Sequence, residues 1–67
     1  MKIKIEHTFP RHDEIILYYT INGIKDFRTA AYELNEWFKG TEYKAGFGGH
    51  HVWLAKDNER VMIISED

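Results

Sequence analysis

Apolar and polar residues alternate in the first segment of the chain. From Met1 to Phe9 (MKIKIEHTF), Ile3, Ile5, His7 and Phe9 fall on one face, and the residues between them are charged or polar. This period of two predicts a half-buried strand. The next segment, Glu14–Asn22 (EIILYYTIN), is rich in β-branched and aromatic residues on both faces, which predicts a central strand. Pro10–Asp13 (PRHD) between them predicts a hairpin turn.

A helical spacing follows the second segment. Asp26 is of the residue type that caps helix N-termini, and Lys39 and Gly40 are typical of a helix end. The spacing therefore predicts a helix over Asp26–Lys39. Its apolar positions are Phe27, Ala30, Ala31, Leu34 and Phe38.

The last third of the chain contains two further apolar runs. HHVWLA and RVMIIS predict two strands joined around Asp57–Asn58, residues that tolerate a positive φ in tight turns. The stretch Gly40–Gly49 is compatible with a short edge strand or a mobile loop. The predicted order is β-β-α-(β)-β-β, a single α+β domain over residues 1–67 with one helix packed on one face of an antiparallel sheet.

A two-residue turn at Asp57–Asn58 sorts the closing hairpin into two faces. Trp53 then pairs with Met62, and His51 pairs with Ile64. A small branched layer of Val52, Leu54, Val61 and Ile63 is predicted to lie under the helix. The opposite face has no helix to cover it, and we expect it to carry Trp53, Met62, Ile64, Ile16 and Tyr18, with His51 at its edge.

An apolar face of this size predicts a binding surface, because monomers rarely leave such a patch in water. Its tryptophan, tyrosine and methionine are enriched at protein interfaces. The predicted partner is another protein or a second copy of the chain, in a homodimer through the sheet face. A sheet curled tightly enough to bury both faces is the structural alternative.

Composition narrows the classes of partner. The chain has 67 residues, nine Lys and Arg against eleven Asp and Glu, and no cysteine. Nucleic acid is disfavoured because the charges are interspersed without a basic block. Disulfides and thiolate metal sites are excluded. No signal peptide or membrane-spanning run is evident, so a cytoplasmic location is expected.

Candidate catalytic chemistry is sparse. Ser65 is the only serine, and the four histidines show no H-x-x-x-H spacing, so neither a serine triad nor a metal site is predicted. The glycines at 46, 48 and 49 lack the Gly-Lys-Ser/Thr ending of a phosphate-binding loop and indicate flexibility. No cofactor is expected.

One motif resembles a known family. The segment GGHHVWLAKDNERVMI, Gly48–Ile63, is similar to HicA-type toxins, which are small ribonucleases that cleave messenger RNA. Their Gly-Ser-His-His is followed by an apolar-aromatic pair, an Asp-containing turn and an Arg-Val strand, with Gly49 here in the serine position. ELNEWFKG, ending at Gly40, resembles the end of the family's first helix. The resemblance implies that His50 is catalytic and acts on the ribose 2′-hydroxyl or the leaving oxygen.

The leading hypothesis is a non-enzymatic protein-interaction module. Its size and lack of a catalytic set are typical of phage or mobile-element inhibitors, anti-CRISPR proteins among them. The alternative is a HicA-like ribonuclease that uses His50. A further alternative is an antitoxin or immunity protein whose acidic groups face a basic toxin.

Overall fold

Two helices lie between the first strand and the last three strands of the chain. The computed structural model describes residues 2–67, and its elements in chain order are β1 (Ile3–His7), α1 (Asp13–Asn22), α2 (Phe27–Trp37), β2 (Lys44–Phe47), β3 (His51–Lys56) and β4 (Glu59–Glu66). The strands form an antiparallel sheet in the order β1-β4-β3-β2. The α+β class is confirmed, but the order is β-α-α-β-β-β rather than the predicted β-β-α-(β)-β-β.

Helix α2 matches its predicted position. Asp26 accepts a hydrogen bond from the Thr29 backbone N–H at 2.7 Å, so it caps the helix as its residue type predicts. The helix ends at Trp37, two residues before the predicted end at Lys39. Gly40 follows with a φ of 83°, a left-handed conformation that glycine adopts without strain.

The predicted central strand Glu14–Asn22 is wrong, because this segment forms helix α1. Apolar residues surround the helix on every side, so neither a period of two nor a period of 3.6 dominates the sequence pattern. Its buried residues, Ile15 and Tyr19, are four apart, as one helix face requires. Asp13 and Glu14 occupy the first turn, where negative charge interacts favourably with the helix dipole. Pro10–Asp13 consequently leads into a helix and not into a hairpin.

The closing hairpin has the predicted turn but a shifted register. Asp57 and Asn58 have φ values of 54° and 63°, which confirms the tight turn with positive φ at both central residues. Leu54 pairs with Met62 and Ala55 pairs with Arg60, so Val61 is an extra residue in β4. This β-bulge moves every later residue of β4 by one position and therefore exchanges its two faces.

The core lies between the sheet and a layer of two helices, where one helix was predicted. Tyr19 of α1 is buried, and its hydroxyl donates a hydrogen bond to Glu33 of α2 at 2.9 Å. Burial, reinforced by this hydrogen bond and the charge of Glu33, raises the pKa of the Tyr19 phenol. The buried residues are Ile15, Tyr19, Ile24, Phe27, Ala30, Ala31, Leu34, Val52, Leu54, Val61, Met62 and Ile64.

Candidate functional site

The six residues predicted to share an uncovered sheet face lie in three different places. Met62 and Ile64 are 2% and 1% exposed, because the bulge turns them toward the helices. Ile16 and Tyr18 belong to α1 and not to the sheet. Trp53 and His51 lie on the sheet face opposite the helices. The predicted placement of Met62, Ile64, Ile16 and Tyr18 on that face is therefore wrong.

We call the face of the sheet that points away from the helices the open face. Trp53 lies there opposite Ile63, which the prediction had placed in the covered layer. The strand register places the following side chains on the open face: Lys4, Glu6, Lys44, His51, Trp53, Ala55, Arg60, Ile63 and Ser65. The face is therefore mixed, with charged residues around a small apolar centre.

Glycines in β2 and the turn after it make room for rings on β3. A Cβ at Gly46 would overlap the indole of Trp53, and a Cβ at Gly48 would overlap the imidazole of His51. The guanidinium of Arg60 lies 5.1 Å from the centroid of the Trp53 ring, within cation–π range. Neither Gly46 nor Gly48 has a positive φ. These two glycines thus provide space for side chains, which the sequence-based interpretation as flexibility did not anticipate.

The most exposed apolar cluster lies on the helical layer. Leu17 and Ile21 are one turn apart on α1 and are 59% and 72% exposed. Tyr18 is beside them, and its ring centroid lies 6.3 Å from that of Trp37 at the end of α2. We call these four residues, Leu17, Tyr18, Ile21 and Trp37, the helical patch.

A shallow cavity borders the helical patch at Trp37. It has a volume of about 280 Å³ and is open to solvent. Its lining combines charged groups at the start of α1 with apolar groups from both helices, namely Arg11, His12, Asp13, Glu14, Ile15, Trp37 and Phe38. Because of these charged groups, the cavity is more polar than the adjoining patch.

His12 packs its ring against two aromatic rings at the start of α1. Its centroid lies 5.1 Å from those of Phe38 and Tyr43, in edge-on arrangements with both. The His12 Nε2 atom is buried and has no hydrogen-bond partner among the described residues. Burial lowers the pKa of this imidazole, because a charged ring would lose its hydration.

His50, the histidine that the family resemblance implicates, is in the turn between β2 and β3. Its side chain is 84% exposed, and its Nδ1 atom lies 2.8 Å from a carboxylate oxygen of Glu66. His51 is the first residue of β3 and lies on the open face. The histidine with a carboxylate neighbour is therefore His50.

Residues 2–67 contain neither a cluster of metal-binding side chains nor a membrane-spanning helix. No group of three or more His, Asp or Glu side chains is positioned to hold a metal ion. Neither helix is long and apolar enough to cross a membrane.

Sequence reasoning missed the helical patch because it assigned α1 to a strand. The spacing of Leu17 and Ile21, four residues apart, repeats that of Ile15 and Tyr19, which is the signal of two opposite helix faces. No protein-family model, curated protein or solved structure matches the chain. The function of the protein therefore has to be inferred from its own surfaces.

Proposed function

We propose that the protein is a non-enzymatic binding module that docks its helical patch into an apolar groove of another protein. The observation that supports this proposal is the exposure of Leu17 and Ile21, 59% and 72%, on a helix whose inner face is already buried. A helix that is apolar on all sides is expected to be covered on all sides. Within residues 2–67, Leu17 and Ile21 on the outer face of α1 stay largely exposed.

A convex helix with anchors one turn apart fits a groove better than a flat surface. Helix-in-groove recognition uses apolar residues at spacings of three and four, which Leu17, Tyr18 and Ile21 provide. Trp37 widens the contact with a large aromatic ring, a residue type that contributes strongly at interfaces. Asp13 and Glu14 flank the patch at the start of the helix, so the complementary groove carries basic groups at that end.

Inhibition is the proposed consequence of this docking. A domain of this size supplies one rigid helix face, and occupying a groove of an enzyme or a defence complex blocks what that groove binds. Small phage and mobile-element proteins act in this way, and the comparison with them rests on size.

The test compares two exposed positions on α1 with one exposed position on α2. The double variant Leu17→Glu, Ile21→Glu places charges in the patch, and the control Tyr32→Glu places one on the outer face of α2, where Tyr32 is exposed. We expect the patch variant to lose a protein partner that the wild type and the control co-purify from the native host. Each buried leucine or isoleucine contributes about 1.5–3 kcal/mol, so affinity falls by well over tenfold.

Two outcomes contradict the proposal. Circular dichroism first establishes that each variant keeps its helices. A patch variant that retains the partner shows that α1 is not the binding surface. Loss of the partner in Trp53→Ala alone assigns binding to the open face.

A ribonuclease is the second candidate, and the His50–Glu66 contact favours it. A carboxylate oxygen 2.8 Å from the Nδ1 atom of His50 orients the ring, and an oriented imidazole suits general acid–base catalysis. We expect His50→Gln to abolish RNA cleavage, whereas His51→Gln retains it. Since the His50 side chain is largely exposed, its replacement leaves the fold intact. Cleavage that persists in His50→Gln excludes this mechanism.

A further inference from the structure

The two edges of the sheet differ in whether their outer backbone groups are satisfied. At the β2 edge, the side-chain amide of Asn35 donates to the Ala45 carbonyl at 3.2 Å, and its oxygen accepts from the Ala45 N–H at 2.9 Å. Asn35 thereby replaces a neighbouring strand at this position. A capped edge of this kind does not pair readily with another chain.

The β1 edge has no comparable cap in residues 2–67. The bonds from Thr8 N–H to the Val61 carbonyl and from Asp67 N–H to the Lys2 carbonyl show that even-numbered residues of β1 bond to β4. In an antiparallel ladder, the residues between them direct their N–H and C=O groups away from the partner strand. Ile3, Ile5 and His7 therefore present their backbone groups on the outer edge, and no other backbone bond involves them within the described chain.

The charges of β1 are unpaired across the sheet. Lys4 lies opposite Ser65 and Glu6 lies opposite Ile63, so neither faces an opposite charge on β4. Both point to the open face, on either side of Ile5. The sequence Lys-Ile-Glu therefore places a positive and a negative charge symmetrically about one residue.

These features select one pairing of β1 with a second copy of itself. Antiparallel pairing must oppose Ile3, Ile5 and His7 to one another, because only these residues have free backbone groups. A two-fold axis at Lys4 opposes two lysines, and an axis at Glu6 opposes two glutamates. An axis at Ile5 instead opposes Lys4 of each copy to Glu6 of the other. Because like charges directly opposite each other are destabilising, the axis at Ile5 is favoured over the other two.

We infer that the protein forms a homodimer in which β1 pairs antiparallel with β1 of a second copy about a two-fold axis at Ile5. Ile5 then faces Ile5 of the second copy, Ile3 faces His7, and each of these pairs exchanges two backbone hydrogen bonds. The two sheets become continuous. Ile3 and Ile5 are only partly buried in one chain, and the pairing covers them further.

The same features limit growth to two copies. Each dimer uses both β1 edges, and the remaining outer edges are those that Asn35 caps. A two-fold interface is closed, and the cap on Ala45 disfavours further pairing along β2, so growth does not continue into a fibre. This interface is separate from the helical patch, so the inference does not depend on the proposed function.

Charge reversal tests both the interface and its register. The variants Lys4→Glu and Glu6→Lys each oppose like charges at two symmetric positions, and we expect each to raise the dimer dissociation constant by at least about tenfold. An equimolar mixture of the two variants restores opposite charges at both positions, so it dimerises. The double variant Lys4→Glu, Glu6→Lys also dimerises. Sedimentation equilibrium measures all four samples, with Lys44→Glu on β2 as a control that dimerises like the wild type.

Three results overturn the inference. The first is a wild type that stays at the 8.0 kDa monomer mass up to its highest soluble concentration. The second is a single reversal that dimerises as tightly as the wild type. The third is a mixture that associates no better than its separate components. Circular dichroism of each variant separates loss of the interface from loss of the fold.

Discussion

Helices α1 and α2 have nearly the same length, 10 and 11 residues, but they distribute their apolar residues differently. In α2 the buried apolar residues lie on one face, and the rest of the helix is polar apart from the exposed rings of Tyr32 and Trp37. In α1 apolar residues surround the helix. A one-sided helix is satisfied by one sheet, whereas a helix that is apolar all round retains an apolar face after it has packed. The difference supports the proposal that the outer face of α1 is the main part of the binding surface.

The largest difference in the free energy of unfolding is expected between two variants, each of which replaces one leucine of one helix. Leu34 of α2 is 1% exposed, and Leu34→Ala leaves a cavity in the core that lowers the free energy of unfolding by about 2–5 kcal/mol. Leu17→Ala removes the same atoms from a solvent-exposed position and changes it by at most about 0.5 kcal/mol. Urea unfolding followed by circular dichroism measures both variants.

The pair of variants also tests the assignment of α1. If Leu17→Ala lowers the free energy of unfolding by nearly as much as Leu34→Ala does, the outer face of α1 is buried in solution. If that cost also depends on protein concentration, contact with another copy is what buries it. A cost independent of concentration means that the comparison between the two helices is wrong.

The elements that the sequence predicts correctly are those in which one local signal is strong. Asp26, the apolar spacing of α2 and Gly40 agree with one another, and Asp57–Asn58 is a turn of defined chemistry. Glu14–Asn22 fails because its β-branched and aromatic residues are typical of strands, while contacts with α2 and the sheet hold it as a helix. Residue preference cannot report such tertiary contacts.

The candidate surfaces depend on details that no local pattern contains. The extra residue Val61 decides whether Met62 or Ile63 shares a face with Trp53, and the hairpin alone does not reveal the bulge. The helical patch exists only because Glu14–Asn22 is a helix, so it could not be predicted when that segment was assigned to a strand. The cap of Asn35 on β2 joins residues ten apart in sequence and becomes visible only in three dimensions.

A difference in stability of intermediate size is expected between variants of two adjacent tyrosines of α1. Tyr19 is buried and donates to Glu33 of α2, so Tyr19→Phe leaves that acceptor without its partner and costs about 0.5–1.5 kcal/mol. Tyr18→Phe changes a more exposed hydroxyl in the helical patch and leaves stability nearly unchanged. Thermal unfolding of both variants measures the difference. Equal effects contradict the view that only the inner face of α1 contributes to the fold.

The smallest effect concerns how the two helices begin, and it appears as a dependence on pH. Asp26 caps α2 with its carboxylate, and the hydrogen bond from the Thr29 N–H lowers the pKa of Asp26 from 3.8. The stability that this carboxylate provides is present at neutral pH and is lost as the pH falls below 3.8. His12 begins α1 with no side-chain cap, and burial against Phe38 and Tyr43 lowers its pKa from 6.5.

Because the folded protein resists protonation of His12, the loss of stability that His12 causes begins at a higher pH than the loss that Asp26 causes. Below pH 6.5 the unfolded chain takes up a proton that the folded chain resists, so the free energy of unfolding decreases as the pH falls. We expect His12→Phe to reduce this decrease between about pH 7 and pH 5, where histidines ordinarily titrate. Asp26→Ala leaves the slope in that range unchanged, because its carboxylate titrates at lower pH. Urea unfolding midpoints at several pH values measure both slopes, and an unchanged slope in His12→Phe shows that the start of α1 is not the source of the acid sensitivity.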